Sequence, residues 1–534
     1  MKKDIDFKEL QSLSPFELKN TLIDVAADSA QKPMLNAGRG NPNFLATVPR
    51  LGFFRFGDFA MREAENSWVY MPEGVGGFPR RDGIEARFDI FTHTNPDDPG
   101  VKFIRSAVSY VRDHMGLPAG DFIYEMCEAI LGCNYPVPDR MLKNCELIVN
   151  EYIRKEMIDL HPFDGDFDLF ATEGGTAAMT YIFNSLRENK ILSPGDKIAL
   201  GLPIFTPYIE IPKLNDYRLT TVEINADEDS NWQFPTSELD KLVDPGVKAF
   251  FLVNPSNPPS VKLSDENLRR LAKIVSTRPD LIILTDDVYG TFADNFTSLF
   301  AVCPKNTILV YSYSKYFGAT GWRMGVIAMH RDNIIDRMIG RLSDADKKEL
   351  HTRYESIAPD PDSLRFIDRM VADSRTVALN HTAGLATPVQ AQMALFSLFS
   401  LMDRSDSYKA AMKRLIRQRN ERLYKGFCGQ PPQDPEEVDY YQLLDVEKIY
   451  RKAYGEEFVQ WYLKSLQPNE ALFRLADESG VVLLPADGFG TCTPAFRVSL
   501  ANLTEVEYTK IGQAVNKLGK EYYEEFKKSG GKAK

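Results

Sequence analysis

The sequence predicts an α/β fold built on a mostly parallel sheet, and three observations predict it. Short apolar runs of strand length recur along the middle of the 534-residue chain. Helical stretches alternate with them from about residue 110 to 390. Each run ends in glycine, proline, asparagine or acid, the residues of turns that leave the carboxyl ends of buried strands. Ligands of open α/β sheets bind at those ends, so residues just past each run are the candidates for a site.

The first run, Asp168-Leu-Phe-Ala-Thr-Glu-Gly174-Gly175-Thr176, reads as strand, glycine turn and helix start. The free amides of Gly175 and Thr176, with the Thr176 hydroxyl, can face an anion there, although a plain tight turn reads the same way. The second, Ile198-Ala-Leu-Gly-Leu-Pro203-Ile-Phe205, leaves an aromatic ring just past a strand, able to stack on a planar group or to pack in the core. In the third, Val247 to Val253 is a buried strand running into Asn254-Pro-Ser-Asn257-Pro-Pro, where Asn257 is either a turn residue or a polar contact for a ligand. The fourth, Leu281-Ile-Ile-Leu-Thr-Asp286-Asp-Val-Tyr289, delivers a carboxylate that can pair with a protonated ring nitrogen or cap the next segment, and Tyr289 can reach a phenolic oxygen of the same ring.

The densest signal follows. Ser312-Tyr-Ser314-Lys315-Tyr-Phe-Gly-Ala-Thr-Gly-Trp-Arg323 sets one lysine among small hydroxyl residues, with an arginine eight positions on. Serines and a guanidinium can share a phosphate, and a lysine amine in such a place can hold an aldehyde cofactor as a Schiff base. An isolated motif of this length is often an exposed loop, but the five segments occur together and in this order.

Taken in order, these residues resemble the fold-type I pyridoxal-phosphate enzymes, within the class I and II aminotransferase superfamily. The resemblance implies that pyridoxal 5'-phosphate is the cofactor. It assigns the phosphate to Gly175, Thr176, Ser312, Ser314 and Arg323, and ring stacking to Phe205. It assigns the phenolic oxygen to Asn257 and Tyr289, the ring nitrogen to Asp286 and the aldehyde carbon to Lys315. Ala495-Phe-Arg497-Val-Ser matches the strand whose arginine clamps the substrate α-carboxylate, a task suited to a bidentate guanidinium. Asn134-Tyr135-Pro matches the place where a tyrosine of the neighbouring subunit reaches the phosphate, which implies at least a dimer.

The chain is longer than an ordinary member, and the surplus concentrates in residues 45–105, 331–375 and 429–465. The last of these reads as a Pro-rich turn followed by a polar helix. This format, with Asn36-Ala-Gly-Arg39-Gly-Asn-Pro near the start and Asn380-His-Thr382-Ala-Gly later, is similar to the aspartate 4-decarboxylase family. That likeness implies β-decarboxylation of L-aspartate to L-alanine and carbon dioxide, with side transamination to oxaloacetate. It also implies reactivation by a keto acid such as pyruvate or 2-oxoglutarate, and an assembly of dimers up to a dodecamer. Arg39, Thr382 and Lys19 are the candidates for substrate contact, each with a solvated-surface alternative; Lys19 sits in a helix opened by Ser14-Pro15 with Glu17 in its first turn. The alternatives are a plain aminotransferase with unusual insertions, or a regulator that kept the fold without chemistry; Lys315, Asp286 and Arg497 together argue against the latter.

The expected division is an N-terminal arm and insertion over 1–109 belonging to a small domain, a large cofactor domain over 110–390, and the rest of the small domain over 391–534. With 43% hydrophobic and 26% charged residues the chain can bury large cores, and a net charge of −11 argues against a nucleic-acid surface. The first residues lack the apolar run of a signal peptide and no long apolar span follows, so a cytoplasmic location without membrane contact is expected. Six cysteines without a C-x-x-C pair and six scattered histidines predict no metal site.

Overall fold

The computed structural model describes residues 13, 15–28, 33–159, 161–214, 216–374, 384–467, 469–491 and 495–531. Its centre is a seven-stranded sheet. The strands are β1 (Phe167–Thr172), β2 (Lys197–Leu202), β3 (Thr220–Asn225), β4 (Val247–Val253), β5 (Ile282–Asp286), β6 (Thr307–Ser312) and β7 (Gly325–His330). They lie in the order β1-β7-β6-β5-β4-β2-β3, and only β7 runs against its neighbours. The apolar runs have this physical cause: both faces of the sheet are covered, so successive residues are buried on opposite sides. Ala249 and Phe251 join the larger core while Phe250 and Leu252 join a second core on the other face. Ser264 caps the helix Asp265–Thr277 that covers the second core, accepting from the Asn267 amide.

A smaller layer is made by β8 (Tyr441–Asp445), β9 (Leu484–Pro485) and β10 (Ala495–Ser499), antiparallel in the order β9-β10-β8. Two long helices, Ser407–Gly426 and Glu505–Lys528, pack beside it. They cross at contact distance because both residues at the crossing are glycines: a Cβ on Gly512 would stand 2.2 Å from the Leu423 carbonyl oxygen. The N-terminal helix Pro15–Asp28 packs on Glu470–Ser479, and Leu35–Asn36 pairs in parallel with Val481–Val482.

The surplus segments differ in where they settle. Residues 47–113 form three helices that pack with one another, with Ala119–Leu131 and with Thr387–Met402, joined by Phe56, Phe59, Phe88 and Phe122. Their contacts run to the helices beside the central sheet, whereas those of 15–36 run to the smaller layer. Helices in 334–373 surround the start of β1, where buried Asp168 accepts from Arg331 and Arg365. Residues 429–465 depart from the expected turn and helix, because β8 precedes the helices Val446–Tyr454 and Glu456–Ser465. Pairing with β10, remote in sequence, makes that strand, and local pattern does not announce it. Among the described residues, no helix is long and apolar enough to cross a membrane.

Candidate active site

The carboxyl ends of β1, β2, β4, β5 and β6 open on a cavity of about 420 Å³, closed from the other side by residues 38–41, β8 and β10. Its lining brings together Gly175, Thr176, Phe205, Asn257, Asp286, Tyr289, Ser312, Ser314, Lys315, Arg323, Arg497, Arg39 and Lys19. Tyr135 is not among them: it is exposed, on the segment after the helix Ala119–Leu131. Thr382 and Ser14 lie outside the described residues.

Each sheet-side group is fixed by its neighbours. Asp286, ending β5, accepts from Tyr208 Oη at 2.7 Å and from the Val288 amide at 3.1 Å. Burial raises its pKa to about 6, against the Tyr208 donor, the Val288 amide and the Lys315 charge, all of which lower it. Ser312 Oγ donates to Ser314 Oγ at 2.9 Å. Arg323 adopts a left-handed backbone, φ 55°, and its guanidinium donates to the carbonyls of Thr320 and Glu173, each at 3.1 Å. It lies so close to Gly174, φ 95°, that a Cβ there would be 2.5 Å from Nη2. The helix Gly175–Glu188 therefore starts with bare amides and no side-chain cap, beside two serines and a guanidinium.

The closing side is held across long sequence separations. Lys315 Nζ donates to the Gly40 carbonyl at 3.1 Å, and Tyr440 Oη donates to the same oxygen at 2.9 Å. Arg497, 2% exposed, donates to Asn257 Oδ1 at 3.3 Å and to the Gly38 carbonyl at 2.8 Å, while its buried Nε has no partner. The guanidinium is sandwiched between the rings of Tyr441, at 4.5 Å, and Phe489, at 4.8 Å. Burial lowers its pKa; burial, then Arg39 and Arg497, lowers that of Lys19. Lys19, Arg39, Lys315, Arg323 and Arg497 thus face one small space, an arrangement that suits a ligand with more than one negative charge.

These residues fit pyridoxal phosphate on the structure's own terms. The bare helix start, paired serines and Arg323 make an anion cradle; the buried carboxylate of Asp286 is held by a phenol and an amide, with no ion pair to it among the described residues; an amine stands in the same cavity. Tyr208 and Tyr441 also line the cavity without having been singled out in the sequence. Tyr208 had a signal, since it follows Phe205 past the same strand; Tyr441 had none, because β8 itself was not foreseen. Among the described residues there is no cluster suited to a metal ion.

Comparison with known proteins gives three findings. The model of the family "Aminotransferase class I and II" matches residues 154–515. A Pseudomonas sp. protein named bifunctional aspartate aminotransferase and L-aspartate beta-decarboxylase is 57% identical over 526 residues, covering 98% of this chain and 99% of its own. Among solved structures, a Thermus thermophilus aspartate aminotransferase mutant aligns with a TM-score of 0.60 at 16% identity, over 97% of this chain and 100% of its own. An aromatic aminotransferase from Pyrococcus horikoshii OT3 aligns at 0.55 and 16%, over 95% and 100%. At such identity the structural likeness speaks to the fold.

Proposed function

The chain belongs to the class I and II aminotransferase family, and from that premise we propose that it is an aspartate 4-decarboxylase with aspartate aminotransferase activity. It converts L-aspartate to L-alanine and carbon dioxide, and in a side reaction transaminates aspartate to oxaloacetate. The observation that carries this reading is the near full-length likeness to the Pseudomonas protein, which extends through all three surplus segments.

The cofactor is pyridoxal 5'-phosphate, which when bound supplies an aldehyde carbon for the substrate amine and a pyridinium ring that withdraws electrons. Gly175, Thr176, Ser312, Ser314 and Arg323 hold the phosphate, Phe205 stacks on the ring, and Asn257 and Tyr289 contact its phenolic oxygen. Asp286, kept in place by Tyr208, keeps the ring nitrogen protonated. The raised carboxylate pKa falls once it faces a cation, so the pair stabilises both partners. Lys315 would hold the cofactor's aldehyde carbon and, as a free amine, would take the α-proton of the substrate. Arg497 grips the α-carboxylate, with Asn257 beside it. Lys19 and Arg39 orient the distal carboxylate, with Thr382 as a further contact. A site that holds this group without a tight bidentate clamp lets its charge leave.

Tyr135 serves the neighbouring subunit's phosphate site, so the working unit is a dimer, and the surplus segments extend dimers to a dodecamer. The enzyme is cytoplasmic. We read the chain as an N-terminal arm and insertion over 1–109, a large cofactor domain over 110–390 and a small domain over 391–534. The test is product analysis with aspartate alone. Alanine and carbon dioxide should form in equal amounts, at a rate that decays with turnover and recovers on adding pyruvate or 2-oxoglutarate. Oxaloacetate alone, with strict dependence on added keto acid, replaces this reading with a plain aminotransferase.

A further inference from the structure

We propose that Tyr441 is the acid that protonates the substrate β-carbon as carbon dioxide leaves. The inference rests on the decarboxylase reading above and adds a residue to it. Tyr441 lies on β8, 2% exposed, and lines the cavity. The point where a Cβ on Gly40 would stand is 2.2 Å from Tyr441 Oη and 3.4 Å from Lys315 Nζ, so phenol and amine face the same small space. Its ring lies under the Arg497 guanidinium, at 4.5 Å. A substrate held between Arg497 and Lys315 runs its carbon chain past this hydroxyl. A glycine at 40 is what leaves the hydroxyl room to be there.

The phenol is also primed to give up its proton. Burial opposes ionisation, but the charges of Lys315 and Arg497 and a hydrogen bond from Tyr289, Oη to Oη at 2.9 Å, outweigh it and bring the Tyr441 pKa below the ordinary phenol value. Tyr289 goes the other way, well above it, so Tyr441 is the acidic member of the pair. The charged and titratable groups around Tyr441 are Lys315, Arg497, Tyr289 and Tyr440.

In the step, the bond from the β-carbon to the distal carboxyl carbon breaks, carbon dioxide leaves, and the electron pair stays with the β-carbon. The Tyr441 O–H bond breaks as its proton forms the new C–H bond of the methyl group. The phenolate regains its proton from water, one for each carbon dioxide released, and the α-proton taken by Lys315 returns to the α-carbon.

Tyr441→Phe keeps the ring under Arg497 and removes only the hydroxyl. Two measurements on the full-length protein decide the matter, with near-ultraviolet circular dichroism and cofactor absorbance checking that the variant folds and loads. In the holoenzyme, carbon dioxide release from aspartate should fall about 100-fold, while single-turnover formation of oxaloacetate changes less than about threefold. After cofactor removal, which leaves Lys315 a free amine, ultraviolet difference titration of wild type against Y441F should show one tyrosinate forming below the ordinary range that the variant lacks. An equal loss of both products makes Tyr441 a positioning residue acting through Tyr289 and overturns the proposal. An unchanged product ratio, or no early tyrosinate in the wild type, also overturns it. If the wild type releases no carbon dioxide from aspartate, the decarboxylase reading fails instead.

Discussion

The two walls of the cavity are built in opposite ways. On the sheet side, each polar group has a close neighbour in sequence among its partners: Ser312 has Ser314, Asp286 the Val288 amide beside Tyr208, Arg323 the Thr320 carbonyl beside that of Glu173. The closing side has one local bond, from the Gly38 amide to Asn36, and is otherwise held by bonds that span the chain, two of them to the sheet wall: Arg497 to Gly38, Lys315 to Gly40, Tyr289 to Tyr441. The sheet wall is thus assembled by local turns on a scaffold buried on both faces, and it can hold a cofactor in a fixed pose. The closing wall exists only when three distant segments meet, so it is the part free to diverge with the substrate. The grip on a cofactor belongs to the first wall, and the grip on substrate, Arg497 included, to the second.

Four substitutions test that contrast. Lys315→Ala, on the sheet wall, should abolish the absorbance of the lysine-bound cofactor and lower turnover about 10,000-fold with the fold retained; wild-type turnover in this variant removes the central claim. Asp286 is next. Held at about 6 when folded against an ordinary 3.8, it keeps a proton between those values that the unfolded chain has released. Stability of the cofactor-free protein should therefore fall as pH rises from about 4 to 6, by about 3 kcal/mol, and Asp286→Asn should remove this part of the slope. Asp287, buried beside it and held at about 7, keeps its own share, so chemical denaturation across this range should flatten without becoming level.

On the closing wall, Arg497→Lys keeps a charge but loses the fork, and should raise KM for aspartate about 30-fold, or about 2 kcal/mol, leaving cofactor absorbance intact. An equal loss of cofactor would show that the walls are not independent. Smallest is Gly40→Ala. Its methyl group would collide with the Tyr441 hydroxyl, and displacing that one side chain should lower decarboxylation about tenfold with little change in stability. A stability loss larger than the activity loss would mean that the collision is relieved in the backbone instead.

How much could be read from the sequence follows the same division. Asp286, Ser312, Lys315 and Arg323 sit within a few residues of strand ends, where a buried apolar run announces both the strand and the place its successor must occupy. Arg497, in the middle of the strand Ala495–Ser499, was legible only through the family resemblance. Tyr441 was not, because Tyr-Gln-Leu-Leu-Asp becomes a strand only by pairing with β10, with Ser499 opposite Tyr441. Gly40 read as part of a turn, and nothing local says that a lysine and a tyrosine share its empty side. The packing of 47–113 against Thr387–Met402 was equally silent, since which surface takes up an amphipathic helix depends on every other surface already covered.

The pairing of the chain's beginning with its last strands bears on how the molecule is born. Leu35 donates to the Gly480 carbonyl, Ala37 to that of Val482, and Ser499 and Asn43 close the same seam through Ala37 and Ala501. A ribosome delivers residues 33–43 before the central sheet and their partners at 480–501 after it. Between residues 330 and 480 the nascent chain has every strand of the central sheet available while residues 33–43 wait without a berth. The cavity gains its closing wall only once residues 441–499 have followed the sheet, so until then the growing polypeptide carries an unfinished site.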